Sequence, residues 1–434
     1  AEQGKFDLID RALDGFYDYY QTRSQQTAGI EAFTQALHLL ERQATPVTSK
    51  TLINRLQARH GALCWGFAHY EQAYTLLQAS LAIARNLQDK KEMAFCLEFL
   101  GRTLWQQGTA DAVSFLEESL ALSYALADQV AIATTLHTLA AVFDTLAEKQ
   151  RAKQFAEQSL AISRQLNHPH RIALVYHRLG SITRGLGEYQ NSVAHFQEAL
   201  AALRQVDDRY NIILTLIELG HVMHITGGFP RETIMMVLRE AVMRARELGS
   251  FEALFVGLGT FASVSTWLGD CETGERCGQE LVALSQQMPP HFYATCLAIL
   301  ADAELALNKL YLARHHLLEA MAVMLKSQTR LLINCIRALY TWAELLAKEC
   351  DLPEAVHQPI ITLQKRVYAL EILSSIIHQP LVSHFYTMRA KPFALQLAMQ
   401  LPVELAATAE ARGKLKTWPQ LVAEIGQADA LPSA

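Results

Sequence analysis

The side chains best suited to chemistry in this chain form a periodic series rather than a cluster. Arg55, Arg59 and Trp65 are followed by Glu98, Arg102 and Trp105, then by His137 and Asp144, by His177, Ser181 and Arg184, and by His221 and His224. Trp65 and Trp105 lie 40 residues apart. Indoles beside arginines offer ring stacking, cation–π contact and charge-assisted hydrogen bonds, which together could grip an aromatic, nucleotide-like or peptide ligand. Large aromatics also supply buried area, and packing of both indoles between neighbouring helices is their commoner use. His221 and His224, three apart on one helix face, would suit two ligands of a metal. No third ligand follows in sequence, so no metal is assigned; a metal-dependent enzyme would need carboxylates such as Asp144 or Glu218 brought to them in space. There is no glycine-rich phosphate loop ending in Lys-Ser/Thr, no His-Glu-x-x-His, no nucleophile elbow and no Cys-x-x-Cys pair. The expectation is a binding protein without catalytic residues or cofactor.

These side chains recur because the elements that carry them recur. Ser80-Leu81-Ala82-Ile83, Ser119-Leu120-Ala121-Leu122, Ser159-Leu160-Ala161-Ile162 and Ala199-Leu200-Ala201-Ala202 stand at spacings of 39, 40 and 40 residues. A second series, His60-Gly61, Leu100-Gly101, Leu139-Ala140, Leu179-Gly180 and Leu219-Gly220, keeps register with it. Each period therefore holds two apolar-periodic helices, with a small residue on the first where the second must come close. The best-formed unit runs through Tyr176, Leu179, Gly180, Gly187, Tyr189, Ser192, Phe196 and Ala199. Its order and spacing resemble a tetratricopeptide repeat, with the period stretched from about 34 residues to about 40. In such arrays the first helices line the concave surface, so the resemblance places the arginine, tryptophan and histidine series on the inner face of a groove.

The predicted fold is all-α, a tetratricopeptide-like α-α superhelix of about eight or nine helical pairs. Phe16-Tyr17 to Gln35-Ala36-Leu37 reads as a divergent first pair. Weaker pairs follow around Gly259 to Leu281 and Leu300-Ala301 to Ala320, and a last one starts near Arg337. The repeat array is set at 1–349. Residues 350–434 are read as an irregular helical end of the same superhelix, because Pro353, Pro359, Pro380 and Pro392 should break helices around one good helix, Arg366 to Ile377. The links Leu87-Gln88-Asp89-Lys90, Leu126-Ala127-Asp128-Gln129, Leu166-Asn167-His168-Pro169 and Val206-Asp207-Asp208-Arg209 should end one helix and cap the next.

The 434 residues are 51% hydrophobic and 19% charged, with a formal charge of −5. That balance gives no general attraction to phosphate backbones or anionic lipid, so direct nucleic-acid binding and membrane association are not expected. The seven cysteines are odd in number and scattered in helical patterns. Cys271 and Cys277 read as small residues at a helix contact, and a reducing cytoplasm is the expected location. The opening Ala1-Glu2-Gln3-Gly4-Lys5 lacks a signal-peptide layout and a helix cap, and reads as the start of a piece excised from a longer chain.

A narrower resemblance covers nearly the whole chain. Arg11-Ala12-Leu13-Asp14-Gly15-Phe16-Tyr17-Asp18-Tyr19-Tyr20, followed by Gly29-Ile30-Glu31-Ala32-Phe33, is similar to the place where the repeats begin in bacterial signal-transduction ATPases with numerous domains, the STAND class. The Ser-Leu-Ala-Ile units followed by Leu-x-Asp or Leu-Asn are similar to theirs. So are Ala369-Leu370-Glu371-Ile372-Leu373, His378-Gln379-Pro380, Leu401-Pro402-Val403-Glu404-Leu405 and Ala411-Arg412-Gly413. The resemblance implies a sensor arm whose partners are an unknown inducer (small molecule, peptide or protein) and the protein's own upstream ATPase module. It supplies no ligand motif. The competing reading is a constitutive tetratricopeptide scaffold for protein–protein interaction.

Overall fold

The computed structural model describes residues 2–22, 26–43, 47–66, 69–109, 111–286, 288–326, 332–379 and 384–428. Among them the regular structure is entirely helical, and no helix is long and apolar enough to cross a membrane. Two compact units divide the chain, Ala1–Asn211 and Ile212–Ala434. The first contains α1 (Glu2–Thr22), α2 (Gln26–Gln43), α3 (Val47–Gly66), α4 (Tyr70–Leu87), α5 (Lys90–Gln106), α6 (Ala112–Ala125), α7 (Gln129–Thr145), α8 (Lys149–Gln165), α9 (Pro169–Gly185) and α10 (Tyr189–Gln205). The second holds most of α11 (Arg209–Thr226), then α12 (Arg231–Leu248), α13 (Phe251–Trp267), α14 (Cys271–Ser285), α15 (Pro290–Ala306), α16 (Leu310–Lys326) and α17 (Leu332–Cys350). After a 3-10 turn at Pro353–His357 it ends with α18 (Pro359–His378), α19 (His384–Met399), α20 (Val403–Leu415) and α21 (Trp418–Ala428).

Within a repeat, the first helix packs on the second through the small residues that the period marks. A Cβ added at Gly101 would lie 2.6 Å from Leu116 Cγ, and one at Gly180 would lie 2.7 Å from Phe196 Cε1. Both distances are below van der Waals contact, so glycine sets how closely α5 meets α6 and α9 meets α10. The recurring serine fastens the same contact: Ser119 Oγ donates to the Ala94 carbonyl at 2.8 Å and Ser159 Oγ to that of Ala133 at 2.7 Å. Each bond joins a second helix to its own first helix, which satisfies a hydroxyl that is buried.

The links between these repeats are short. Gln88, Ala127, Asn167 and Asp207 take left-handed backbone with φ of 54, 52, 48 and 51°. The amides of the next residues, Asp89, Asp128, His168 and Asp208, bond back to Ala84, Ser123, Ser163 and Leu203 carbonyls, closing the preceding helix. Asp89, Asp128, His168 and Asp208 also accept a hydrogen bond from a first-turn amide of the following helix. One residue thus ends a repeat and starts the next, which holds the period near forty.

Pro353 and Pro359 stand in the first turn of their helices, and the helix expected at Arg366–Ile377 runs from Pro359 to His378. Pro380 lies outside the described residues. Pro392 does not break a helix: it sits inside α19. Buried Ala390, Ala394 and Leu397 around it pack into the core of the second unit, and this tertiary burial offsets the missing N–H.

Candidate functional site

In the first unit, the earliest residues of the series serve the packing of α1. Arg55 on α3 pairs with Asp10, and its Nη2 donates to Asp14 Oδ2 at 3.1 Å. Arg59, one turn on, donates from Nη2 to Asp14 Oδ1 at 2.9 Å and from Nη1 to Glu92. Arg59 is only 3% exposed and its guanidinium lies 3.9 Å from the Phe95 ring centroid. Burial works against ionisation of Asp14, yet the charges of Arg59 and Arg55 bring its carboxyl below the usual range. These two arginines tie α1, α3 and α5 together.

The series then continues on the faces of α5, α7 and α9. Glu98 accepts from Thr138 Oγ1 at 2.8 Å and pairs with Arg102, whose Nε also lies 3.2 Å from Thr138 Oγ1. The Arg102 guanidinium stands 5.2 Å from the Trp65 ring and 4.9 Å from that of Phe99. Trp65 meets Phe99 edge-on at 5.9 Å, with its buried Nε1 unbonded, while Trp105 Nε1 donates to Thr145 Oγ1 at 2.9 Å. The two indoles keep their repeat register but have different partners.

Further along, Asp144 accepts from Lys149 Nζ at 2.6 Å and lies 3.9 Å from Arg178 Nη1. Arg171 reaches Thr134 on α7. His137 lies among these groups, its buried Nδ1 without a hydrogen-bond partner. Burial, then the charges of Arg178, Arg102, His177 and Arg171, hold its imidazole well below the ordinary histidine range. His177 packs edge-on against Phe196 at 5.5 Å, and burial with Arg178 and Arg184 brings it down to about 4. Ser181 and Arg184 are partly exposed on the same helix. The face carries Arg102, Lys149, Arg171, Arg178 and Arg184 against Glu98 and Asp144, with two neutral imidazoles between them. Lys149, Thr134, Thr138, Arg171 and Arg178 were absent from the sequence-based series; Arg178, one residue past His177, was the most accessible signal.

In the second unit His221 is partly exposed, and His224 stacks on Trp267 at 5.5 Å and 21°. Among the described residues no group of three His, Cys, Asp or Glu side chains is placed to hold a metal ion. Trp267 is instead the centre of an aromatic and ionic cluster. Its Nε1 donates to Asp302 Oδ2 at 3.1 Å, and the guanidiniums of Arg337 and Arg389 lie 5.1 and 5.4 Å from its ring. Arg337 is 3.4 Å from Asp302, Arg389 is 3.5 Å from Glu344, and Arg389 also covers Tyr340 at 4.9 Å. Below this cluster a cavity of about 370 Å³ opens between α13, α15, α17 and α19. Sequence reading missed it. Trp267 ends a first helix much as Trp105 does, and Asp302 follows Leu300-Ala301 as Arg102 follows Leu100-Gly101, so the repeat register held the signal.

Comparison with known proteins agrees with the repeat geometry. Residues 132–170 and 172–206 match the tetratricopeptide repeat family, a stretch running from within α7 to the end of α10. The fold is a tetratricopeptide-like helical-hairpin array. No curated protein matches the sequence. Among solved structures, the chain is similar to a signal-transduction ATPase with numerous domains (STAND) bearing a tetratricopeptide repeat sensor, from Pyrococcus horikoshii. That likeness has a TM-score of 0.57 and 14% identity, over 74% of this chain and 47% of the other. The chain thus spans about half the length of that ATPase. A Rap protein complexed with competence and sporulation factor aligns at a TM-score of 0.55 and 12% identity, over 90% of this chain and 99% of the Rap chain. At these identities the likeness is one of fold.

Proposed function

We propose that this chain is the ligand- or protein-sensing repeat region of a STAND-type signal-transduction ATPase or transcription regulator, working in the cytoplasm. An inducer binds the groove lined by the first helices and releases an ATPase module carried upstream in the full-length protein. The observation that carries the reading is the face around His137, where the charges of Arg102, Arg171 and Arg178 and the His177 ring converge. An anionic group on the inducer would complete that arrangement, because guanidiniums bind carboxylate or phosphate oxygens in paired, directional hydrogen bonds. The likeness to a STAND protein with a repeat sensor supports the same reading. The inducer acts by its differential affinity for two shapes of the array, so a bridge across several first helices is the arrangement through which it could change curvature.

The test is capture from the native cytoplasm by the purified chain, with mass spectrometry of proteins and extracted small molecules, in parallel with Arg102→Ala/His177→Ala/Arg184→Ala. A species held by the native chain and lost from the variant is expected. Equal capture by both would place recognition elsewhere and end this assignment. A captured protein that binds without altering ATP turnover of the full-length protein would favour the scaffold reading instead.

A further inference from the structure

The face described in the first unit leaves definite hydrogen-bonding capacity unspent. Arg102 reaches both of its protein partners, Glu98 and Thr138, through Nε. Among the described residues its two Nη groups make no hydrogen bond, and with the side chain 18% exposed neither of them is buried. Their N–H groups form a planar fork that matches two oxygens of a carboxylate, phosphate or sulfate. His137 is in the same condition. Its Nδ1 is buried without a partner, whereas Nε2, also unbonded among the described residues, is not buried. The hydroxyl that Arg102 Nε meets at 3.2 Å belongs to Thr138, the residue after His137. On the other side of the imidazole, Arg171 bonds Thr134, one turn earlier. Guanidiniums from α5 and α9 therefore flank one imidazole on α7. The other ionisable groups around it are Glu98 on α5, Asp144 on α7, Lys149 on α8, and His177, Arg178 and Arg184 on α9. From α6, Ser119 meets α7 at Thr135, about 200° around the helix from His137.

We propose that the inducer presents an oxyanion to this pair, bound by the Arg102 Nη groups and His137 Nε2, and that His137 takes up a proton on Nε2 as the anion arrives. This inference rests on the sensing role proposed above and adds that acid favours binding. Glu98 pairs with Arg102 but takes only its Nε, so the oxyanion displaces no hydrogen bond already made. Without the anion, burial and then the Arg178, Arg102, His177 and Arg171 charges keep the imidazole neutral. An anion against Arg102 offsets those charges, the imidazolium becomes the favoured form, and its Nε2–H donates to the bound oxygen. Proton and anion then each strengthen the binding of the other, and anion affinity rises as pH falls.

The full chain is titrated calorimetrically with sulfate, whose charge is fixed between pH 5.5 and pH 7.5, in two buffers of different ionisation heat, with dimethyl sulfone as the neutral control. Sulfate is expected to bind about tenfold more tightly at pH 5.5 than at pH 7.5, with about one proton taken up per site at the lower pH. His137→Gln should abolish both the rise and the proton uptake while its thermal transition stays cooperative. Arg102→Lys, which keeps the charge and gives up the fork, should weaken binding about fivefold at either pH. Glu344→Gln, in the second unit, should respond to sulfate as the native chain does. No sulfate binding, equal affinity at the two pH values, a rise that survives His137→Gln, or equal binding of dimethyl sulfone would overturn the proposal. Capture of an inducer through Arg102 with no change between pH 5.5 and pH 7.5 would also overturn it, and would leave the sensing role standing. Sulfate binding coupled to His137 in a chain that captures no inducer would uphold the oxyanion seat and remove that role.

Discussion

The two units place different side chains at one position of the repeat register. After the Leu-small anchor, Ala1–Asn211 carries Arg102 and its α5 to α9 face gathers cations around imidazoles that burial and their neighbours keep neutral. In Ile212–Ala434 the residue after the anchor Leu300-Ala301 is Asp302, which pairs with Arg337 at 3.4 Å and accepts from Trp267 Nε1, while Glu344 pairs with Arg389 of α19. A helical repeat holds the direction of a side chain constant while leaving its chemistry free. The same scaffold position therefore carries a cation, Arg102, in one unit and an anion, Asp302, in the other, each paired within its own unit.

The largest difference should come from charge buried within a unit. Arg59→Leu leaves Glu92, itself 1% exposed, without its main counter-charge, and should cost the first unit about 3–5 kcal/mol in urea unfolding. A fall below about 1 kcal/mol would show that the joining of α3 to α5 does not depend on this pair.

The titrations of the two units should run in opposite directions. His177 has a folded value of about 4, below its ordinary 6.5, so its contribution is complete above 6.5 and is lost as pH falls toward 4. The slope should approach about 1 kcal/mol per pH unit, and His137 adds in the same sense. Glu344 is raised from 4.5 to about 7, so its contribution is present below 4.5 and is lost as pH rises through 7. Urea unfolding of His177→Gln and Glu344→Gln across pH 4 to 8 checks both signs: the first variant should lose acid sensitivity, and the second should gain stability relative to the native chain near pH 8.

Smaller effects should separate close from ordinary helix contacts. Gly101→Ala forces a Cβ onto Leu116 and should destabilise by about 1–3 kcal/mol. At Gly259 the nearest neighbours of a Cβ are Leu281 Cδ2 at 3.6 Å and Ile299 Cδ1 at 3.8 Å, so Gly259→Ala should stabilise by roughly 0.5–1 kcal/mol through helix propensity. Equal effects of the two substitutions, by thermal or urea unfolding, would deny that the helix contact is tight at Gly101 and looser at Gly259.

Much of the fold was legible because it is local and repeated. The Leu-Gly anchors at Gly101 and Gly180, the serines Ser119 and Ser159 and the capping residue Asp89 make local contacts in the structure in that role, whereas buried Ser80 makes no such bond. Pro392 misled because its cost is local while its compensation, the burial of Ala390, Ala394 and Leu397, is not. Site residues divide the same way. Arg102, His137, Asp144, His177 and Arg184 share a register that the sequence shows, whereas Arg59 stands in that register too and is covered by α1, whose approach no period describes.

The sequence by itself determined the helical pairs, their spacing near forty residues, the turns that join them and the face on which each polar residue stands, since these follow from backbone geometry and from contacts a few turns apart. Only the tertiary structure decided which of those polar residues are spent. Whether Arg59 is buried, whether imidazoles sit among guanidiniums, and whether α19 closes a cavity over Trp267 and Glu344 depend on which side chains from distant parts of the chain share one low-dielectric space, where a charge costs far more than in water and its partners decide its state.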